Sequence, residues 1–385
     1  MTGRFVLSCK TAPAFHGCCF VFILCASAVA QIHRPVDPLA LPHVSQEIKD
    51  PAGQIKKYTE ILKEEEMHPS VRAQMLYDRG VAYVLAGNAG AALTDFTASL
   101  AINPLNVMAR CNRAHLLARQ GAVREALADY ARVLEMDPYM ALALYSRGVL
   151  YQEQGRLDEA FTDFMAAFTA DRRHADAGIR AASMLKDKGQ LNEALRIFRE
   201  LSELFPARPE FYFECGLLME QLGNPEEALQ FYNAAVIRNP DVPEAVFNRA
   251  GIHYRDGRTD EAIADYTRAL ELDASLANAW LGRGQAYAKK RNYAEAVKDY
   301  SRALELDRDL APAWLQRGRS NYALHDYRQC IIDLTEYMRR AGRDPEVCEL
   351  RADALDAYGK PARAAEDRKR ARALRGEFQS PEQSP

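Results

Sequence analysis

Small, large apolar and polar residues recur along this chain at fixed phases, and the phase repeats every 34 residues from Ala73 onward. Nine periods follow without insertion or deletion, starting at 73, 107, 141, 175, 209, 243, 277, 311 and 345. With the first residue of a period counted as position 1, position 8 is always small: Gly80, Ala114, Gly148, Ala182, Gly216, Ala250, Gly284, Gly318 and Ala352. Position 20 is alanine in every unit but one, which has Cys330. Position 24 is aromatic in seven units: Phe96, Tyr130, Phe164, Phe198, Tyr232, Tyr266 and Tyr300. Position 11 is mostly large, as in Tyr83, Leu117, Tyr151, Leu185, Met219 and Tyr287. Small residues at 8 and 20 allow two helices to approach closely, and the larger ones fill the space left over. Repetition at this period predicts a solenoid, in which each unit stacks on its neighbours.

Punctuation sets two helices per unit. Gly stands at position 15 in seven units (Gly87, Gly121, Gly155, Gly189, Gly223, Gly257, Gly359), where a turn with positive φ is expected. Pro stands at position 32 in four (Pro104, Pro138, Pro206, Pro240), usually after an Asp or Asn expected to cap the next helix. The stretches between these breaks are each about 14 residues, roughly 21 Å of helix. Neither is long enough to be stable alone in water.

Taken together, these positions resemble the tetratricopeptide repeat pattern from Ala73 to Phe378. The unit Ala277–Leu310 shows it well, with Trp280 at position 4 and the closing run Ala303-Leu304-Glu305-Leu306-Asp307. Pro is missing at position 32 in five units, where Arg172, Ala274, Arg308, Gly342 and Gly376 stand. The last unit carries Arg368 at the aromatic position and Arg372 after it, as expected of a polar capping repeat. The resemblance implies an all-α, right-handed α-solenoid of nine helix-turn-helix units. It also implies that the first helices line a concave surface, with positions 2, 5, 6, 9, 12 and 13 facing inward. On that mapping the candidate partner-binding residues are Tyr77, Tyr145, Phe213, Phe247, Tyr254, Gln285, Lys289, Arg319 and Tyr322. Aromatic anchors among polar groups suit an extended or helical peptide. The alternative is that position 5 packs partly against the adjoining unit. One subset of the family grips a C-terminal carboxylate with Lys at position 5 and Asn at position 9, and no unit here has either.

A charge pair is also written into the period. Seven units have Arg at position 7 and Asp at position 23: Arg79 with Asp95, Arg113 with Asp129, Arg147 with Asp163, Arg249 with Asp265, Arg283 with Asp299, Arg317 with Asp333, and Arg351 with Asp367. Units four and five lose both together, having Ala181 with Ile197 and Cys215 with Phe231. Joint loss points to a structural ion pair within each unit. An anion-binding stripe is the other reading. The same two units gain Phe211-Tyr212-Phe213 with Leu217 and Leu218. Two readings stay open for that cluster: a partner or homo-oligomer contact, or a locally more apolar core.

Residues before the repeats carry an address. Arg4 and Lys10, the apolar run Cys18–Ala26 and the small-x-small Ala28-Val29-Ala30 have the layout of a signal peptide cleaved after Ala30. An uncleaved anchor and a misassigned start are the alternatives, although the apolar run is shorter than a membrane span needs. A secreted or periplasmic location follows, with no membrane insertion after cleavage. The absence of an Asn-x-Ser/Thr sequon after Gln31 favours a bacterial exterior. Residues 31–50, with Pro35, Pro38 and Pro42, read as a tether. Residues 51–72 read as an N-terminal capping helix in phase with a truncated unit, opened by Asp50-Pro51, with Ile55, Tyr58, Ile61 and Leu62 on one face. A free partner-recruiting helix is the alternative there. Residues 379–385 read as a disordered tail.

Composition then narrows the function. Without Arg4 and Lys10 the chain has 48 basic against 53 acidic residues, which argues against a nucleic-acid partner. Of eight cysteines four lie in the leader, and Cys111, Cys215, Cys330 and Cys348 remain without CxxC spacing. Only Cys330 and Cys348 sit on neighbouring units, as a bridge or as buried thiols. There is no GxSxG, GxxxxGK[ST] or HExxH, and no His stands at metal-ligand spacing from a Cys or carboxylate. No enzyme, metal or cofactor is expected. The reading is a scaffold or adaptor binding proteins or peptides in the cell envelope or secretory space. A regulatory subunit of an envelope hydrolase or protease is the runner-up, and an assembly factor for secreted polysaccharide rests on family analogy alone.

Overall fold

Helix boundaries fall where glycine, proline and short polar residues interrupt the apolar period. The computed structural model describes residues 50–376, all within the unit Leu41–Pro385. The leader over 1–30, the tether over 31–49 and the tail over 379–385 lie outside the described residues. Nineteen α-helices and no strand occur among the described residues. Helix α1 (Pro51–Ile61) precedes nine pairs. They are α2 (Pro69–Leu85) with α3 (Ala89–Ile102), α4 (Val107–Arg119) with α5 (Val123–Met136), and α6 (Ala141–Glu153) with α7 (Leu157–Ala170). Next come α8 (Ala175–Asp187) with α9 (Leu191–Leu204), α10 (Pro209–Gln221) with α11 (Pro225–Arg238), and α12 (Pro243–Arg255) with α13 (Thr259–Leu272). The last are α14 (Ala277–Lys289) with α15 (Tyr293–Leu306), α16 (Ala311–Ala323) with α17 (Tyr327–Ala341), and α18 (Pro345–Ala357) with α19 (Pro361–Leu374).

Each helix packs on the one before and the one after it, and first helices of successive units also touch, α4 on α6, α12 on α14 and α14 on α16. This is an α-solenoid. Inside a pair, the small residues face the ring at position 24. A methyl group on Gly216 would lie 2.5 Å from Tyr232, so the ring occupies the space a side chain would take. The alanines of position 20 and the rings of position 24 are at most 1% exposed, and Leu334 and Cys330 fill the same places in unit eight. Burying such a ring contributes about 2–3 kcal/mol, which is why neither helix of a pair needs to be stable alone.

The seven glycines of position 15 have φ between 73° and 80°. Two units lack that glycine, and there Arg291 and His325 take the same left-handed conformation, with φ 61° and 63°. The turn still closes: the amide of Asn292 donates to the Tyr287 carbonyl at 2.9 Å, as the amide of Arg258 does to His253. Between units, the Asp or Asn of position 31 does not cap the next helix as expected. It stands three residues too early, and its carboxylate or amide oxygen instead accepts the amide two residues on, as Asp137 does from Tyr139 at 3.1 Å. Capping falls to the residue just before the helix, such as Asn106 or His174, each accepting the amide three residues on.

Helix α1 departs from the expected phase. A copy of α3 set back by one period would cover 55–68, but α1 ends at Ile61. Residues 69–72, expected in the cap, form the first turn of α2, which has 17 residues where α4 has 13. Pro51 and Pro69 at the first helical positions, with Asp50 and His68 as caps, start both helices about one turn early.

Cys111, Cys215, Cys330 and Cys348 are buried free thiols. Burial pushes the thiols of Cys111, Cys215 and Cys330 up to about 12. No described helix is long and apolar enough to cross a membrane.

Candidate functional site

The repeated arginines are occupied. In all seven pairs the Arg donates through Nε and Nη2 to both oxygens of the Asp sixteen residues on, at 2.7–3.0 Å. The partners are Arg79–Asp95, Arg113–Asp129, Arg147–Asp163, Arg249–Asp265, Arg283–Asp299, Arg317–Asp333 and Arg351–Asp367. Two parallel bonds fit a planar fork to a carboxylate. These bonds also hold the Arg79, Arg113, Arg147 and Arg283 guanidinium groups above their ordinary pKa. Such arginines are not available as an anion stripe.

A third bond escaped the sequence reading. Nη1 of Arg249, Arg283, Arg317 and Arg351 donates to Asn233, Thr267, Ser301 and Thr335, at position 25 of the preceding unit. The distances are 2.9–3.2 Å. Arg79 does the same to Thr59 of α1, at 3.2 Å. The ladder therefore joins helices within a unit and units to one another. The run of short polar residues at position 25 was the available signal.

Position 5 is spent on packing. The rings of Tyr77, Tyr145, Phe213 and Phe247 lie 5.7–6.0 Å from Phe96, Phe164, Tyr232 and Tyr266, the position-24 rings of their own units. Tyr145 and Phe213 are only 4% and 5% exposed, so these two do not offer a surface to a partner. Tyr77 and Phe247 remain half-buried. The reason is short reach: from position 5 a ring meets the second helix before it clears the first.

Of the two readings open for the cluster at units four and five, the packing favours the apolar core. Phe211 and Leu218 are fully buried, Phe213 nearly so, and Tyr212 and Leu217 half-buried. Where the charge pair is missing, Ala181 with Ile197 and Cys215 with the partly buried Phe231 put apolar atoms in its place. Most of the cluster is core.

The surface that remains belongs to the first helices of units six to eight. Tyr254 (α12), Gln285 (α14) and Tyr322 (α16) are half-buried, and Lys289 and Arg319 are exposed. Lys289 Nζ sits 4.8 Å from the centre of the Tyr254 ring and donates to the Tyr254 carbonyl at 3.2 Å. The Tyr322 ring packs edge-on against Tyr327 at 5.6 Å. No carboxylate pairs with Lys289 or Arg319 among the described residues.

Polar bridges between consecutive first helices were also missed. Lys186 pairs with the buried Glu214 at 2.6 Å, and Arg180 donates to Gln152 at 2.6 Å and to Tyr145 Oη at 3.1 Å. Glu220 holds Tyr232 and Arg255 together. A spacing of 28 residues, position 12 to position 6 of the next unit, places the first two. Among the described residues no group of three His, Cys, Asp or Glu could hold a metal ion.

Family comparison now has a geometry to explain. Residues 277–310 match a tetratricopeptide repeat model, 251–291 a TPR repeat model, and 111–176 and 179–243 a further tetratricopeptide repeat model. The chain belongs to the tetratricopeptide repeat family. Solved structures with similar folds include Pseudomonas aeruginosa pilF, 16% identical with a TM-score of 0.47 over 53% of this chain and 93% of that one. The type IV pilus biogenesis factor PilW is 17% identical, with a TM-score of 0.46 over 54% and 96%. The APC/C assembly Cut9–Hcn1 is 18% identical, with a TM-score of 0.46 over 78% and 58%. No curated protein matches the sequence. Tetratricopeptide repeat arrays are generally interaction scaffolds, and this one is a scaffold for protein–protein contacts.

Proposed function

We propose that this tetratricopeptide repeat protein is a non-catalytic adaptor of the cell envelope or secretory space, holding a protein or peptide on the layer formed by its first helices. One observation carries the reading. From unit six to unit eight that layer sets the exposed cations Lys289 and Arg319, which take no part in the ion-pair ladder, beside the half-buried rings of Tyr254 and Tyr322, which rest on the core with one edge outward. Aromatic rings with one wet edge, ringed by polar groups, are the common anchors of peptide recognition. The location rests on the leader-like residues 1–30 and the small-x-small step before Gln31.

Both halves are testable. The mature protein should begin at Gln31 and co-fractionate with envelope or exported markers. An intact Met1 in the soluble cytoplasmic fraction contradicts the location. Partners captured by the full chain should be lost from Arg319→Glu/Tyr322→Ala at unchanged helicity. Full retention of the partners by that folded variant overturns the assignment of the surface.

A further inference from the structure

The turns that join the two helices of each unit form one continuous edge. Lys188, at position 14 of unit four, pairs with Asp158 of the unit before at 2.9 Å, and Lys290 of unit seven pairs in the same way with Asp260. Side chains on consecutive turns therefore reach one another. Other charges on the edge also pair within the chain, as Glu227 does with Arg199 at 3.0 Å and Glu295 with Lys298 at 2.6 Å. Some charges are left over. Glu193, Glu226 and Glu261, on units four, five and six, are exposed and make no ion pair among the described residues. Nor do Arg291, Arg328, Lys360 and Arg363, exposed on units seven, eight and nine. The unspent charge is acidic through unit six and basic from unit seven onward.

Local chemistry does not favour the basic half. Helices α9, α11, α13 and α15 each have an acid in the first turn, where it meets the positive end of the helix dipole. Helices α17 and α19 have none there, and carry Arg328 as their second residue and Arg363 as their third. Arg291 holds a left-handed φ of 61° where most units have glycine. Cations set against a helix dipole and on a strained turn point to a reason outside their own unit. Apolar surface accompanies them: Leu324 and Tyr358, at position 14 of units eight and nine, are 44% and 48% exposed.

We propose that this edge pairs with the same edge of a second copy, antiparallel about a two-fold axis between units six and seven. The axis sets unit six opposite unit seven, five opposite eight and four opposite nine. Glu261 then meets Arg291, Glu226 meets Arg328 and Glu193 meets Arg363, each pairing made twice, as an isologous contact requires. The reversal of sign at a single point selects a second copy as the occupant, because self-complementarity demands it and an unrelated partner does not. Leu324 comes opposite the half-buried Leu222 and Pro225. Exposed ion pairs are individually weak and screened by salt, so the dimer responds to ionic strength. None of the first-helix residues assigned to a partner takes part, so the pairing holds or fails apart from that assignment.

Sedimentation equilibrium of the full chain tests the proposal. The mass should be that of two copies in about 0.05 M salt and fall toward one in about 0.5 M. Arg291→Glu/Arg328→Glu reverses part of the basic half, and Glu226→Lys/Glu261→Lys the matching part of the acidic half. Each variant should sediment as a single copy at unchanged helicity. Mixed in equal amounts the two should form a one-to-one pair, because every contact is then again between opposite signs. A single-copy mass for the full chain at low salt, or a two-copy mass indifferent to salt, overturns the proposal. So does a dimer that survives either reversal, or a mixture of folded variants that stays monomeric.

Discussion

Two residues hold a backbone conformation that belongs to glycine. Arg291 and His325 sit at φ 61° and 63°, where seven other units have Gly. A left-handed non-glycine residue costs roughly 1 kcal/mol or more. Arg291→Gly should therefore stabilise the chain by about 1 kcal/mol even after glycine's extra freedom in the unfolded state. Gly257→Ala should cost about as much, because no atom crowds that site and only the φ of 79° opposes it. Urea unfolding of both variants checks the sign, and stabilisation by Gly257→Ala would refute the account. His174 makes the second residue-scale prediction. Its Nδ1 accepts the Ala177 amide at 3.3 Å, and its ring lies 4.6 Å from that of Tyr145. Burial lowers its pKa, against Asp176 and Asp171, which raise it. A folded pKa below the unfolded value of about 6.5 means the unfolded chain binds more protons as pH falls. The contribution is complete above about pH 6.5 and is lost below it, down through the lowered folded pKa. His174→Asn, which can still cap, should flatten the fall in melting temperature between pH 7 and 5. An unchanged slope would assign that fall to other groups.

At the scale of elements, the Arg–Asp pair is the joint between the two helices of a unit. Arg283 binds Asp299 twice at 2.8 Å, reaches Thr267 of the unit before at 3.2 Å, and lies 4.7 Å from the centre of the Trp280 ring. Its side chain is 15% exposed and that of Asp299 6%, so removing one partner strands a largely buried charge. Arg283→Ala should cost about 3 kcal/mol and leave partner binding unaffected. Arg283→Lys should recover only part of the loss, because an ammonium cannot make the fork. Melting equal to the parent for Arg283→Ala would reduce the ladder to surface decoration. Much at this scale could be followed in the sequence. Punctuation by Gly257 or Pro104 reflects local backbone chemistry, and the joint absence of Arg and Asp in units four and five is the trace of a contact. The one-turn offset of α1 left a weaker trace, since it depends on which of two proline-started turns nucleates. Position 5 stayed open between groove and packing in the sequence because periodicity gives a direction from the helix axis and not a reach: Phe213 ends on Tyr232.

For the whole molecule, contacts run only between neighbours, so the array behaves as a line of coupled units. Such a stack leaves function to side chains that packing does not consume. Those were only partly legible, because exposure depends on what the next unit places opposite. Glu220 satisfies Tyr232 and Arg255, whereas the same position one unit later is Tyr254 and the Tyr266 hydroxyl has no hydrogen-bond partner. The first-helix layer also lacks the long apolar stripe that would mark it in a sequence, and its cations look like ordinary solvated residues until their missing partners are noticed.

The surface assignment is tested most directly by photo-crosslinking in the native cell. A benzophenone amino acid placed at Arg319, on the first-helix layer, should give a discrete covalent adduct with a partner polypeptide. The same probe at Ile237, 79% exposed on the second helix α11, should give none. Adducts formed at Ile237 and not at Arg319 would contradict the account.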